Sequence, residues 1–185
     1  MTRKKDNARE LLMSHGKDFM LNNLDGSKGK FNVRTITEEC GMATGTFYNY
    51  FTSKDDLARQ IVADDWKKVM DNSDELIEMD IPLRDKLEAI YNRIDNFEKN
   101  YKYSAIGLLG PSPENVAFRK GKLEELDAKL QIFIKNEVDR GTLEIDADIE
   151  SAAYLLMHLF FTTSENEKMS FDQMWKCMTF RSISD

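Results

Sequence analysis

Apolar residues recur at intervals of three and four along almost the whole chain, and this spacing constrains the fold more than any other feature. No segment shows convincing alternation of apolar and polar residues, which a half-buried strand would need. The first apolar stripe predicts a helix from about residue 5 to residue 23 and consists of Ala8, Leu11, Leu12, His15, Phe19 and Met20. The sequence therefore predicts an all-α fold.

Residues that favour helix ends mark several of the boundaries. Ser53 and Asp56 have the spacing of a capping box, so a long helix is expected to begin near Lys54. Gly141 is expected to end a later helix, because glycine readily adopts the left-handed conformation found there. The other predicted helices begin at Pro82, follow the break between Gly107 and Pro113, and span about 147–165 and 171–182.

Composition indicates a folded protein that needs no disulfide and no metal. The chain has 185 residues, 41% of them apolar, which is enough for a core. Its two cysteines, Cys40 and Cys177, are far apart, which favours a reducing compartment. No secretion signal follows Met1, and no apolar run approaches the ~20 residues of a membrane span. We therefore expect a soluble cytoplasmic protein without a cofactor or a metal ion.

Charge is distributed unevenly along the chain. The net charge is −7, which by itself disfavours a nucleic-acid partner. However, residues 1–60 carry ten Lys and Arg against eight Asp and Glu, and the remaining 125 residues carry a net −9. A mildly basic N-terminal part on an acidic body suits a protein that contacts phosphate at one end only.

The most informative segment predicts two short helices joined by a tight corner. Asn32 is a good N-cap for the first helix. Gly41 supplies the left-handed residue that such a corner requires. The expected buried face of the first helix is Val33, Ile36 and Cys40. These features together predict a helix-turn-helix from residue 33 to residue 51.

The second short helix has an unusual outer surface. Phe47 and Phe51, four residues apart, are expected to be buried. The other faces carry no charge and consist of Thr44, Gly45, Thr46, Tyr48, Asn49 and Tyr50. Small residues let a helix backbone approach base edges, threonines contact bases, and tyrosine hydroxyls reach phosphate oxygens. This surface therefore favours binding in the major groove of DNA.

The order of glycines, aromatic residues and a trailing lysine resembles the DNA-binding domain of the TetR family of transcriptional regulators. The matching residues are Ile36, Gly41, Gly45, Thr46, Phe47, Tyr48, Tyr50, Phe51, Lys54 and Leu57, and the resemblance covers roughly residues 8 to 60. It implies a helix-turn-helix DNA-binding domain at residues 1–52 and a helical ligand-sensing and dimerisation domain at residues 53–185. Members of this family are usually repressors that bind palindromic operators as homodimers and leave DNA when a small molecule binds.

The resemblance also implies which residues contact DNA. The implied positions are Arg34, Thr35, Thr44, Gly45, Thr46, Tyr48, Asn49, Tyr50 and Lys54. Tyr48, Tyr50 and Lys54 would hold phosphates, and base reading would fall mainly to Arg34 and residues 44–46. The sequence departs from the family pattern at Ala43, where a Ser or Thr usually caps the recognition helix. Thr44 is the alternative cap, and in that case its hydroxyl does not reach a base.

The last two predicted helices carry more apolar surface than a small body needs. Two stripes would form a four-helix interface across a two-fold axis, namely Ile149, Ala152, Ala153, Leu156, Leu159 and Phe160, and Phe171, Met174, Trp175 and Met178. We therefore expect a homodimer through about residues 147–182. The alternative is that these helices close the core of a single chain.

A pocket for a small-molecule effector is expected in the body, between the helices that contain Lys54, Tyr91 and Phe133. Aromatic and thioether side chains line adaptable apolar pockets. The chain offers Trp66, Met70, Tyr91, Phe97, Tyr101, Met157 and His158. The same side chains would also make an ordinary core.

Two other classes of protein have less support. An enzyme would need clustered catalytic or metal-binding residues, but His15 and His158 lie in separate segments, away from cysteines and paired carboxylates. The stretch 107–111 lacks the lysine and hydroxyl of a phosphate-binding loop. A helical interaction module without DNA binding would show no salt-dependent affinity for a duplex.

Overall fold

A computed structural model of the chain describes residues 2–22, 31–101, 111–165 and 169–178. Within these ranges the chain forms eight helices and no β-strand, as the apolar spacing predicts. They are α1 (Thr2–Leu21), α2 (Val33–Glu39), α3 (Thr44–Phe47), α4 (Lys54–Glu78), α5 (Leu83–Tyr101), α6 (Pro113–Asp139), α7 (Ile149–Glu165) and α8 (Phe171–Cys177).

Most helix boundaries agree with the residues that marked them. Ser53 Oγ accepts a hydrogen bond from the backbone N–H of Asp56 at 3.1 Å, and α4 begins at Lys54. Gly141 has a φ of 71°, the left-handed value of a helix end, just after α6. The first helix begins three residues earlier than expected, and α8 ends at Cys177. The glycine-rich linker at 25–30, residues 107–110 of the predicted break, and the predicted helix end at 182 lie outside the described residues.

The chain divides into two compact units. The first contains Met1–Asp65 and Asn100–Phe118, and the second contains Trp66–Lys99 and Arg119–Asp185. Helices α4, α5 and α6 contribute residues to both units. The limits of the functional domains, 1–52 and 53–185, stay a prediction.

The core of the first unit is built by α1, α2, α3 and the first half of α4. Its buried apolar side chains include Leu12, Phe19, Met20, Phe31, Ile36, Phe47, Phe51, Leu57 and Ile61. Gly16 allows α1 to approach α4 closely, because a Cβ at this position would lie 2.9 Å from Cδ1 of Ile61 and 3.1 Å from Cδ2 of Leu57. This contact packs α1 against the first half of α4.

Two polar clusters join Tyr101 and Asn115 to the helices of the same unit. The hydroxyl of Tyr101 donates to Oδ2 of Asp65, and Nζ of Lys17 lies 2.6 Å from the same oxygen. In the second cluster, Nη1 of Arg59 donates to Oδ1 of Asn115 at 2.6 Å, and Asn115 is completely buried. Buried polar groups need such partners, so both clusters fix the main chain on either side of residues 102–110.

The second unit has one apolar core formed by α5, α6, α7, α8 and the later part of α4. Its centre includes Leu87, Ile90, Phe133, Leu156 and Phe160. Close aromatic contacts surround Tyr91, whose ring centroid lies 5.7 Å from that of Phe160 and 5.5 Å from that of Phe171.

The apolar stripes that were expected to form a dimer interface lie largely in the core of the second unit. Ala153, Leu156 and Phe160 of α7 are at most 2% exposed, and Phe171 and Met174 of α8 are also buried in the core of this unit. The proposed interface stripes were therefore wrong in their central residues, because the two helices need this surface to close the core of their own chain.

A buried ion pair joins three segments of the second unit. Nζ of Lys86 donates to Oε1 of Glu137 at 2.7 Å, and the two side chains are 2% and 1% exposed. Arg140 and Thr142 also donate to the carboxylate of Glu137, at 3.3 Å and 2.6 Å. Lys86 and Arg140 both reach the carbonyl of Ile77, near the C-terminus of α4, where the helix dipole favours a cation.

Candidate nucleic-acid interface

The first helix of the predicted helix-turn-helix has the expected cap and corner. Oδ1 of Asn32 accepts a hydrogen bond from the backbone N–H of Thr35 at 2.9 Å. Gly41 has a φ of 63°, which is the left-handed conformation that the corner needs. These two local features, read from the sequence, are therefore confirmed.

The buried face of α2 differs in part from the prediction. Ile36 is buried as expected, but Val33 and Cys40 are only half-buried and Thr37 takes the second buried position. The hydroxyl of Thr37 lies 2.9 Å from the carbonyl oxygen of Val33 and 3.0 Å from that of Arg34, so its polar group is satisfied within the helix. This internal bonding lets a polar side chain occupy the core, which apolar periodicity does not reveal.

The start of α3 settles the question of its cap. Ala43 is the N-cap residue, in an extended conformation and without a side-chain cap hydrogen bond, and Thr44 is the first residue inside the helix. The alternative in which Thr44 caps the helix is wrong. The side chain of Thr44 is exposed at the helix start, where it is free to face a ligand.

Two phenylalanines anchor α3 and the turn that follows it. Phe47 and Phe51 are 0% and 1% exposed, and their ring centroids lie 5.3 Å apart. The ring of Tyr48 packs edge-on against Phe47 at 5.3 Å, yet Tyr48 is 59% exposed. The guanidinium carbon of Arg9 lies 5.8 Å from the ring centroid of Phe51. The aromatic pair therefore holds a short helix in place while its outer residues remain accessible.

All nine residues that were predicted to contact DNA lie at the surface of the first unit. The exposed ones are Arg34, Thr44, Gly45, Tyr48, Asn49 and Lys54, and the half-buried ones are Thr35, Thr46 and Tyr50. They come from α2, α3, the turn after α3 and the first residue of α4. Their surface placement is compatible with the predicted contacts, which themselves stay a prediction.

Glu38 is a charged residue on the surface of α2 that the sequence did not mark as part of the site. Nε of Arg34 donates to Oε1 of Glu38 at 2.7 Å. This hydrogen bond, together with the negative charge of Glu38, raises the pKa of Arg34. The spacing of four residues within one helix is the signal that could have identified the pair.

The N-terminus of α4 carries an exposed cation, Lys54, and a carboxylate, Asp56, that is hydrogen-bonded within the chain. Lys54 is exposed, whereas Oδ2 of Asp56 accepts a hydrogen bond from the backbone N–H of Thr52 at 2.8 Å. Burial alone raises the pKa of Asp56, but hydrogen bonds from Thr52 and Gln60 outweigh this effect and the pKa is lowered. These bonds occupy the carboxylate within the first turn of the helix.

The residues of the predicted effector pocket differ in burial and in the unit to which they belong. Trp66, Tyr91 and Met157 are buried in the core of the second unit, with Met70 and Phe97 packed against it. Tyr101 belongs to the first unit. His158 is exposed, and its ring centroid lies 4.3 Å from that of Tyr154. A groove of about 900 Å³ lies elsewhere in the second unit, along Ile145, Leu155, Leu159 and Met178.

Two features are absent from the described ranges. None of the helices there is long and apolar enough to cross a membrane. The same residues contain no group of three or more His, Cys, Asp or Glu that could hold a metal ion.

Comparison with known proteins agrees with this geometry. The two short helices α2 and α3, joined at Gly41, form a helix-turn-helix. Residues 29–61 match the model of the bacterial regulatory proteins of the tetR family. The resemblance to that family is therefore confirmed, and the chain has the fold of a TetR-family transcriptional regulator. No curated protein sequence matches the chain.

Several solved structures share the fold along most of their length. E. coli NemR in its reduced form has a TM-score of 0.70 and 18% identity, over 91% of this chain and 92% of that chain. FadR from Bacillus subtilis in complex with stearoyl-CoA has a TM-score of 0.67 and 16% identity, over 84% of each chain. A TetR-family regulator from Agrobacterium tumefaciens has a TM-score of 0.67 and 15% identity, over 93% and 94%. At these identities the likeness concerns the fold.

Proposed function

We propose that this protein is a transcriptional repressor that binds a palindromic operator as a homodimer and leaves it when a small molecule binds. The observation that carries the proposal is the uncharged outer surface of α3, with exposed Thr44, Gly45 and Tyr48 held in place by two buried phenylalanines. Hydroxyl and aromatic side chains at such a surface would otherwise be an unusual choice for a helix that only faces water.

The proposed division of labour follows from side-chain chemistry. Tyr48, Tyr50 and Lys54 hold phosphates, because a hydroxyl or an ammonium group can bond a phosphate oxygen next to any base. Arg34, Thr44, Gly45 and Thr46 face the base edges, with Thr35 and Asn49 beside them. The net negative charge of the whole chain does not oppose this arrangement, since the acidic excess lies outside residues 1–60.

The homodimer is proposed to form within residues 147–182, on the face of α7 that the core leaves uncovered. Tyr154 and Leu155 are 59% and 61% exposed, and His158 lies one turn further along the same face. The groove along Leu155 and Leu159 continues this apolar surface. Exposed apolar side chains grouped on one face of a helix favour an interface, and a two-fold axis would pair this face with its own copy.

The effector is proposed to bind within residues 53–185, the part of the chain that the family resemblance implies for ligand sensing. The structural neighbour FadR from Bacillus subtilis holds stearoyl-CoA, so a chain of this fold can accommodate a small molecule. The predicted lining, Trp66, Met70, Tyr91, Phe97, Tyr101, Met157 and His158, stays a proposal. A ligand releases DNA only as far as it prefers the DNA-free conformation over the bound one.

Selection of bound sequences from genomic DNA tests the proposal directly. We expect a palindromic site whose affinity falls steeply as salt rises, because bound phosphates exchange with counterions. Tyr48→Phe and Lys54→Ala should weaken binding to all duplexes, whereas Thr46→Ala should change which sequence is preferred. A protein that binds no duplex in a salt-dependent manner would instead be a helical interaction module.

A further inference from the structure

The ion pair on the outer surface of α2 carries an inference beyond the proposed contact residues. The side chains of Arg34 and Glu38 are 82% and 63% exposed, and the distance between Nε and Oε1 is 2.7 Å. An ion pair exposed to this degree contributes little to stability, because water and salt screen it. The pair is therefore available for a role at the surface.

The stability of α2 comes from other residues. Ile36 is fully buried, and Oδ1 of Asn32 caps the helix through the N–H of Thr35 at 2.9 Å. Neither feature involves the carboxylate of Glu38. Removing its charge should therefore leave the helix folded, which makes its functional contribution measurable.

The hydrogen bond to Glu38 engages only one of the three nitrogen atoms of the Arg34 guanidinium. The bond to Glu38 uses Nε of Arg34. The Nη1 and Nη2 groups can still make a bidentate contact with O6 and N7 of guanine. A guanidinium held by a neighbour loses less side-chain freedom on binding, so its base contact becomes more favourable.

The carboxylate also disfavours unselective binding. Near the phosphate backbone it is repelled at every sequence, and it partly neutralises the cation that would otherwise attract any phosphate. A carboxylate in the major groove can accept a hydrogen bond from the N4 amino group of cytosine, so this repulsion is offset only at suitable base pairs.

We propose that Glu38 is a specificity-determining residue of the DNA interface, which orients Arg34 for base contact and penalises duplexes without a matching site. The inference rests on the proposed DNA-binding function and deepens it. Glu38 acts on recognition in two ways, through the geometry of Arg34 and through its own charge.

The test compares Glu38→Gln with the wild type on the selected operator and on an unrelated duplex of equal length. We expect the variant to bind the unrelated duplex several-fold more tightly and with a salt dependence steeper by about one phosphate contact. The affinity for the operator should rise less or fall. The ratio of operator affinity to unrelated-duplex affinity should therefore decrease several-fold. An unchanged ratio would overturn the inference.

Asp71→Asn is the matched control. It removes one negative charge from Lys67 and Asp71, an exposed ion pair of the same spacing on α4. Nζ of Lys67 lies 2.6 Å from Oδ2 of Asp71. This variant should leave the affinity ratio unchanged, and an equal decrease in both variants would show only a general effect of net charge, against the proposal. Thermal unfolding should confirm that both variants remain folded.

A double-mutant cycle separates the role of Arg34 from a plain charge effect. In the Arg34→Ala background, Glu38→Gln should no longer reduce the affinity ratio to the same extent, because no guanidinium remains to be oriented. A full effect in that background would contradict the role of the pair. Failure of the wild type to bind any duplex would refute the proposed function itself, and is thus distinguishable from failure of this inference.

Discussion

At the scale of single residues, the most constrained side chains are polar groups buried within a unit. Tyr101 is 4% exposed and donates its hydroxyl hydrogen to Asp65, which also pairs with Lys17. Burial, the bond to Asp65, and the nearby charges of Asp65 and Asp64 hold the pKa of Tyr101 far above its usual range. The neutral phenol is thus strongly favoured in the folded protein.

This pKa shift predicts a loss of stability at alkaline pH. The unfolded chain releases the tyrosine proton near pH ~10 while the folded chain retains it, so the free energy of unfolding should fall as pH rises above that value. Tyr101→Phe should reduce this dependence, and at neutral pH should cost about 1 kcal/mol through the lost hydrogen bond. Urea unfolding at several pH values measures both effects. Tyr48→Phe, at a ring that is 59% exposed, is the control and should unfold like the wild type.

The buried pair of Lys86 and Glu137 leads to a second prediction at this scale. Lys86→Met should lower the free energy of unfolding by about 3–5 kcal/mol, because it removes one partner of a buried ion pair. Arg140 still donates to Glu137 at 3.3 Å, which favours the lower end of that range. Lys67→Met, in an exposed pair, should leave the midpoint of urea unfolding nearly unchanged. A similar loss in both variants would mean that burial of the pair has no special effect.

At the scale of helices, α3 is short and its start lacks a side-chain cap. Ala43 is extended at the N-cap, with φ −71° and ψ 144°, a conformation that serine adopts readily. The four residues of α3 are held mainly by Phe47, which is fully buried. The helix that carries the proposed base contacts is thus positioned by packing more than by its own hydrogen bonds.

Ala43→Ser should therefore stabilise the protein. A serine hydroxyl at the N-cap can accept a backbone hydrogen bond, which is worth about 0.5–1 kcal/mol and should raise Tm by a few degrees. Ala128→Ser, at an exposed position inside α6, should instead cost about 0.5 kcal/mol through lower helix propensity. A lower Tm for Ala43→Ser than for the wild type would contradict the cap geometry.

At the scale of the whole molecule, α7 presents one face to the core and a different apolar face to its surroundings. Ala153 and Leu156 are buried, whereas their neighbours Tyr154 and Leu155 are more than half exposed. Deleting the last two helices would uncover the core as well as the proposed interface. A surface substitution is therefore the cleaner test of self-association.

Leu155→Glu should shift the protein from dimer to monomer, because it places a charge against its own copy across the two-fold axis. Binding to the palindromic operator should weaken with it. Ile132→Glu, at a position on α6 that is 53% exposed, is the matched control and should remain dimeric. Sedimentation equilibrium measures the association. A Leu155→Glu variant that dimerises as tightly as the wild type would place the interface elsewhere.

Local chemistry explains why much of this protein could be predicted from its sequence. The all-α fold follows from apolar spacing, and the cap at Asn32, the corner at Gly41 and the start of α4 after Ser53 each depend on residues only a few positions apart. The helix-turn-helix surface is likewise a property of one short segment. Such features need no knowledge of what packs against them.

Only the tertiary structure decided which of several possible faces each helix buries. Apolar periodicity identified Ala153 and Leu156 as part of an interface stripe, but both belong to a core that also contains distant residues of α5, α6 and α8 of the same chain. Thr37 and Lys86 are buried because partners satisfy their polar groups, and for Lys86 that partner is Glu137, 51 residues away. Periodicity determines that a helix has a face to cover, whereas contacts between distant segments determine what covers it.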